Sequence, residues 1–168
     1  YLHHLGADNE KISVLTQSVD NDYWINSTHS ADKTLVRNQK NVIGRGVLCV
    51  SDLVHRKGIR HLIQAWASLP KHLQTGNTLL LVGDGRERAQ LEALTALLEA
   101  ENIVFVGAVP HDQVAAYYAA ADLAILPTLL DVWGLVVNEA MASGIPVLCS
   151  KNAGCAEELI IPGMTGDV

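Results

Sequence analysis

Residues 122–150 read DLAILPTLLDVWGLVVNEAMASGIPVLCS, and their pattern decides the fold. "DLAILPT" is a short, continuously apolar run closed by Pro127, as expected of a buried strand. After a loop through Asp131, "GLVVNEAMAS" has the length and composition of a helix and stops at Gly144, a residue suited to the left-handed turn that ends helices. "PVLCS" is a second apolar strand. Two strands with no polar alternation, joined by a helix, indicate a parallel unit buried on both faces.

The same beat runs upstream. "VLCVSDL" reads as a strand from Val47, and "GIRHLIQAWASL" as a helix with Leu62, Ile63, Trp66 and Leu69 on one face. "TLLLVGDG" is a strand and "RERAQLEALTALLEA" a helix that keeps Leu91, Leu94 and Leu98 at helical spacing. "NIVFVG" is a further strand, and "DQVAAYYAAA" a helix for which Asp112 is the expected N-cap. The fold class is therefore α/β, a doubly wound parallel sheet with right-handed crossovers. Ligands of such sheets bind at the carboxyl ends of the strands, which are here residues 51–57, 83–85, 107–109, 128–134 and 150–155.

Residues 1–46 are more polar, with one short apolar stretch, "ISVLT", and a linker-like "NSTHSADKTLVRNQKN", so no independent domain is expected there. The N-terminus carries neither an initiating Met nor the basic and apolar regions of a secretory signal, and "GMTGDV" stops as a new extended segment begins; both ends read as truncated.

The 168 residues carry 12 Lys and Arg against 18 Asp and Glu, a net charge of -6, and no basic run that could track a phosphate backbone, which argues against nucleic acid. Mean hydropathy is +0.18, enough for one domain with a sizeable core. The most apolar region, "VAAYYAAADLAILPTLL", is interrupted by Asp122 and Pro127 and falls short of the roughly 20 residues of a membrane span. Cys49, Cys149 and Cys155 are odd in number and lack C-x-x-C spacing, which points to a reducing compartment and hence the cytoplasm. The seven histidines show no metal-ligand spacing beyond the adjacent His3 and His4, and no G-x-S-x-G elbow is present, so neither a metal nor an acyl-hydrolase nucleophile is expected.

At the strand ends, Asp131 precedes the helix and Glu139 lies about one turn inside it, among Leu, Val, Ala and Met. A carboxylate in such surroundings needs hydrogen bonds, for instance from paired hydroxyls such as a ribose diol; the alternative is an orientation toward solvent or a neighbouring backbone group. Trp133, Gly134 and Leu135 place amide N–H groups at the helix start, where an anion is favoured, although every helix has such a start. Arg56 and Lys57 sit in the loop after the first strand, a suitable place to hold phosphates, or simply to be solvated. "VGDG" supports the winding more than it marks a site.

Taken in order, "VLCVSDLVHRKGIRHLIQAW", "TLLLVGDGRERAQLEAL", "NIVFVGAVPHDQVAAYYAAADLAILPT" and "DVWGLVVNEAMASGIPVLCSKNAGCAEELI" resemble the nucleotide-sugar-binding C-terminal half of retaining GT-B glycosyltransferases of the large family four, glycosyl transferases group 1. The resemblance runs from about Val47 to Val168, and "LTQSVDNDYW" is similar to the family's interdomain segment, which makes residues 1–46 the tail of an N-terminal domain plus linker.

The resemblance implies a nucleoside-diphosphate sugar as donor substrate and no metal cofactor. Asp131 and Glu139, separated by seven residues, take the places of the family's two acids: Glu139 would bind the ribose hydroxyls and Asp131 would stand near the donor sugar. Lys57 would neutralise the diphosphate leaving group, the amides around Trp133, Gly134 and Leu135 would meet sugar or phosphates, and backbone near Val109 would lie beside the base. An acceptor would be contacted mainly by the N-terminal domain, which would also make any peripheral membrane contact, and the fragment alone would be inactive. Two departures stand out. Asp131 is one methylene shorter than the family's usual Glu, and Ser51-Asp52 replace a Gly-Arg pair, a loss of positive charge that Arg56 would offset from the same loop. That exchange favours the rival reading, a non-catalytic relative serving as an interaction or regulatory domain; a third reading is another enzyme of the same fold, such as a sugar-nucleotide epimerase or a phosphorylase.

Overall fold

A computed structural model describes residues 2–13 and 15–168, so that Val14 of the apolar stretch "ISVLT" lies outside the described residues. Six parallel strands form one sheet: β1 (Arg45–Val50), β2 (Asn77–Val82), β3 (Ile103–Gly107), β4 (Leu123–Leu126), β5 (Val147–Cys149) and β6 (Gly166–Asp167). Their order, β3-β2-β1-β4-β5-β6, is that of a Rossmann-like doubly wound sheet, so the chain reverses its direction of travel across the sheet between β1 and β4. The helices are α1 (Asn21–Ser30), α2 (Lys33–Gln39), α3 (Ile59–Ser68), α4 (Lys71–Thr75), α5 (Arg88–Leu97), α6 (His111–Ala120), α7 (Leu135–Ala142) and α8 (Ala156–Leu159).

Strand pleating distributes the core. Leu48, Leu80 and Val82 face a cluster with Trp24, Val114, Tyr118 and Val137, whereas Cys49, Leu79 and Leu81 face one with Ile59, Ile63, Trp66 and Leu91. Helices α1, α6 and α7 thus cover one face, and α3 and α5 the other. The expected strand-helix alternation holds, with β1 starting at Arg45 and ending at Val50, so that residues 51–54 already belong to the loop.

Two expectations are corrected. The linker-like residues 26–41 are mostly helical: Asp20 caps α1 through the Tyr23 amide (2.9 Å), and Asp32 caps α2 through the Thr34 and Leu35 amides (2.9 and 3.1 Å). These short polar helices are stable because they pack, with Trp24 only 2% exposed against the core. Asp112, in turn, is not an N-cap. Pro110 occupies the cap position and its carbonyl accepts the Gln113 amide at 2.9 Å, so the cap lies two residues earlier than expected and Asp112 falls in the first turn of α6, where it still complements the helix dipole.

Asp122 latches the amino ends of β1 and β4. Its carboxylate accepts the Gly46 amide (2.8 Å) and pairs with Arg45 (3.0 Å), while Arg37 of α2 reaches the Ala120 carbonyl at 2.8 Å and the same carboxylate at 3.5 Å. Burial pushes this carboxyl up, but the Gly46 amide and the two guanidinium groups outweigh it and hold it below its ordinary value.

Candidate functional site

At the carboxyl ends of the strands, beside the β1–β4 switch point, lies a cleft of ≈ 390 Å³ whose lining includes Ser51, Asp52, Lys57, Val109, Val114 and Val136. The structure thus brings Lys57 and Val109, two of the residues singled out in the sequence, into the lining of one cleft, whereas Asp131, Trp133, Gly134, Leu135 and Glu139 are not among its lining residues. A larger hollow of ≈ 640 Å³ lies over the sheet beside α3, lined by apolar side chains such as Leu62, Trp66, Ile125 and Leu148. No Lys, Arg, Asp or Glu lines it, and it is a poor receptacle for a diphosphate.

Lys57 ends a short 3-10 turn, His55–Lys57, that follows β1. The Arg56 carbonyl there accepts the Thr128 hydroxyl (2.9 Å) and the Leu129 amide (2.8 Å), stitching the β1 loop to the β4 loop across the switch point. Lys57 Nζ consequently meets Asp131 Oδ2 at 2.5 Å, with the two side chains only 14% and 12% exposed. Asp131 is fixed from behind, its amide donating to the Asn152 carbonyl at 3.2 Å and its carbonyl accepting the Gly154 amide at 3.1 Å. The Trp133 amide approaches Asp131 Oδ1 at 3.4 Å, and the indole N–H of Trp133 donates to Asn138 Oδ1 at 2.9 Å. Gly134 then starts α7 with φ +99°, a left-handed conformation that favours glycine, while the nearest atom to an added Cβ is the movable end of the Leu126 side chain at 2.7 Å. Among the described residues, no side chain caps the first turn of α7.

Glu139, one turn further along α7, accepts a hydrogen bond from the Tyr118 hydroxyl at 2.9 Å. Burial pushes its carboxyl above the ordinary 4.5, and the Tyr118 hydroxyl and His111 only partly offset this. A raised acid favours folding in its protonated form, so its contribution is fully present below the unfolded-state pKa and is lost as pH rises through the folded one. Glu139→Gln should accordingly match wild-type stability near pH 4 and gain on it toward pH 7; paired urea titrations across that range check it.

The remaining residues fall out differently. Arg56 is exposed and is not among the residues lining the cleft, so its backbone, not its guanidinium, has a defined task in this structure. Asp52 does line the cleft, beside Lys57. Leu135 is 40% exposed at the helix start, and Trp133 is half-buried. Sequence reasoning missed Tyr118 and Thr128, which are buried in the structure; neither carried a local signal beyond being polar atoms in otherwise apolar runs. Cys49 is buried and its thiol is pushed up to about 12 by that burial, against the opposing pull of Lys57, which leaves it protonated and inert. Among the described residues there is no cluster of three or more His, Cys, Asp or Glu able to hold a metal, and no helix is long and apolar enough to cross a membrane.

The chain is 37% identical over 113 residues to an uncharacterized glycosyltransferase of Methanocaldococcus jannaschii, covering 66% of this chain and 28% of that protein. It is 36% identical over 130 residues to the GDP-mannose-dependent alpha-(1-6)-phosphatidylinositol monomannoside mannosyltransferase of Mycolicibacterium smegmatis, covering 73% and 34% respectively. The chain therefore spans about a third of the length of these relatives. Among solved structures, Anabaena HepE in complex with UDP and glucose superposes with a TM-score of 0.78 at 27% identity, over 98% of this chain and 45% of that one. The family described as Glycosyl transferases group 1 matches residues 31–168, the whole sheet and the cleft at its carboxyl edge included, and the chain belongs to that family.

Proposed function

We propose that this chain binds the donor in a retaining glycosyltransferase that moves a sugar from a nucleoside-diphosphate sugar to an acceptor hydroxyl. The observation that carries the reading is the meeting of Lys57 and Asp131 across the switch point, next to the uncapped first turn of α7. Breaking the anomeric bond builds negative charge on the departing diphosphate and positive charge on the sugar ring. A cation and helix amides suit the first, and a carboxylate suits the second. Lys57 and the amides around Trp133, Gly134 and Leu135 would hold the diphosphate, Asp131 would stand near the sugar, Glu139 would accept the ribose hydroxyls, and backbone near Val109 would flank the base. The HepE complex with UDP and glucose supports a nucleotide and a sugar on this fold, and the mannosyltransferase relative supports a hexose donor. The acceptor and the closing half of the site would come from a second domain.

Asp52 favours a second reading. The residue lines the same cleft as Lys57 and brings a negative charge near where a diphosphate would lie, as expected of a non-catalytic relative. Calorimetric titration with UDP, GDP and ADP separates the two. The donor reading predicts selective binding of one nucleotide, weakened about 10- to 100-fold in Glu139→Ala by loss of hydrogen bonds to a charged group. Absence of binding by all three, in this chain and in the whole protein, would leave the non-catalytic reading standing.

A further inference from the structure

We propose that Tyr118 is a positioning residue for ribose recognition: its buried hydroxyl orients the Glu139 carboxylate toward the cleft. The inference rests on the ribose role assigned above to Glu139. Tyr118 is 1% exposed, and its hydroxyl lies 2.9 Å from Glu139 Oε2 and 3.4 Å from the Val136 carbonyl. A phenol has one proton to donate, and the shorter contact to the charged acceptor takes it. Burial also keeps that proton in place, since desolvation and the facing Glu139 push the phenol well above its ordinary value.

The placement of the pair gives it this task. Val114 of α6 and Val136 of α7 both line the cleft. Tyr118 lies one turn beyond Val114, and Glu139 one turn beyond Val136, so the bonded pair follows the cleft's lining by one helical turn, with the Tyr118 hydroxyl 3.4 Å from the carbonyl of the lining residue Val136. With Oε2 held from behind, Oε1 is the oxygen left to accept a diol, and among the described residues it has no hydrogen-bond partner. The phenol ring is itself clamped: the Trp24 ring meets it edge-on at a centroid distance of 5.5 Å, and Trp24 meets His111 at 5.2 Å. A carboxylate without this anchor would sample other rotamers and lose part of its discrimination for ribose.

The test measures, for whichever of UDP, GDP or ADP binds wild type best, the ratio of its affinity to that of its 2′,3′-dideoxy form, in wild type, Tyr118→Phe, Glu139→Ala and the double variant. Tyr118→Phe keeps the ring in the core, and a ratio taken on one sample does not depend on the fraction folded. Expected is a ratio lowered about 2- to 10-fold by Tyr118→Phe, abolished by Glu139→Ala, and not lowered further in the double variant. An unchanged ratio in Tyr118→Phe beside a collapsed one in Glu139→Ala would overturn this inference alone and make Tyr118 a packing residue. A ratio that Glu139→Ala leaves intact, or wild type that binds none of the three, would overturn the ribose reading and this inference with it.

Discussion

Lys57→Ala should lower stability by about 3 kcal/mol, because it strands the Asp131 carboxylate in a site where that side chain is only 12% exposed. The Trp133 amide at 3.4 Å is too distant to replace an ammonium at 2.5 Å. The loss belongs to the unpaired charge more than to the pair itself, so Lys57→Ala combined with Asp131→Asn should recover most of it. Activity should not recover with it. On the proposed donor reading, either variant lacks the cation that would stabilise the departing diphosphate, and kcat/KM of the whole protein should fall about 10²- to 10³-fold in both. Urea unfolding of the three proteins, with donor turnover measured alongside, separates the two effects. A double variant no more stable than Lys57→Ala would mean that the two groups do not act as a unit.

Gly58→Ala should also be severe, for a reason of shape. Gly58 links the Lys57 turn to α3 with φ +70, and a Cβ there would sit 2.0 Å from the Pro127 carbonyl oxygen. That oxygen belongs to the backbone just past β4, so it cannot swing aside as a side chain would. The left-handed conformation and the overlap together should cost roughly 2–5 kcal/mol. Relief of the overlap would push the β1 loop away from the β4 loop and pull Lys57 off Asp131, so nucleotide affinity should drop although every charged residue remains. Gly144 is the control: it has φ +77 but nothing within 4 Å of an added Cβ, so Gly144→Ala should cost only the conformational part, about 1 kcal/mol. Equal melting temperatures for the two alanine variants would show that the contact at Pro127 is unimportant.

The corrections in the N-terminal region show where local reading stops. Asp20 and Asp32 are ordinary N-cap residues and could have announced α1 and α2. Their helices were nevertheless obscured by polar composition, because a helix held by one buried Trp24 and a few neighbours lacks a long apolar stripe. Asp112 failed as a cap for the converse reason: a strong local signal was overridden by Pro110, which takes the cap position two residues earlier.

What the sequence by itself determined about this protein is the alternation of buried strands and helices, the parallel winding, and the positions in the chain where a site belongs. Those are properties of short windows, since the burial of a strand is written in four to six consecutive apolar residues. It also supplied the names of the charged residues at those positions, including Lys57, Asp131 and Glu139. Only the tertiary structure decided which of them meet. Lys57 and Asp131 lie 74 residues apart and touch because β1 and β4 are neighbours in the sheet; Tyr118 and Glu139 lie 21 apart and bond because α6 and α7 share one face of it. Arg56 and Lys57 are adjacent in sequence, yet one is exposed and the other half-buried in the cleft. A side chain's partner is set by strand order and helix face, and neither quantity is encoded in the residues that immediately flank it.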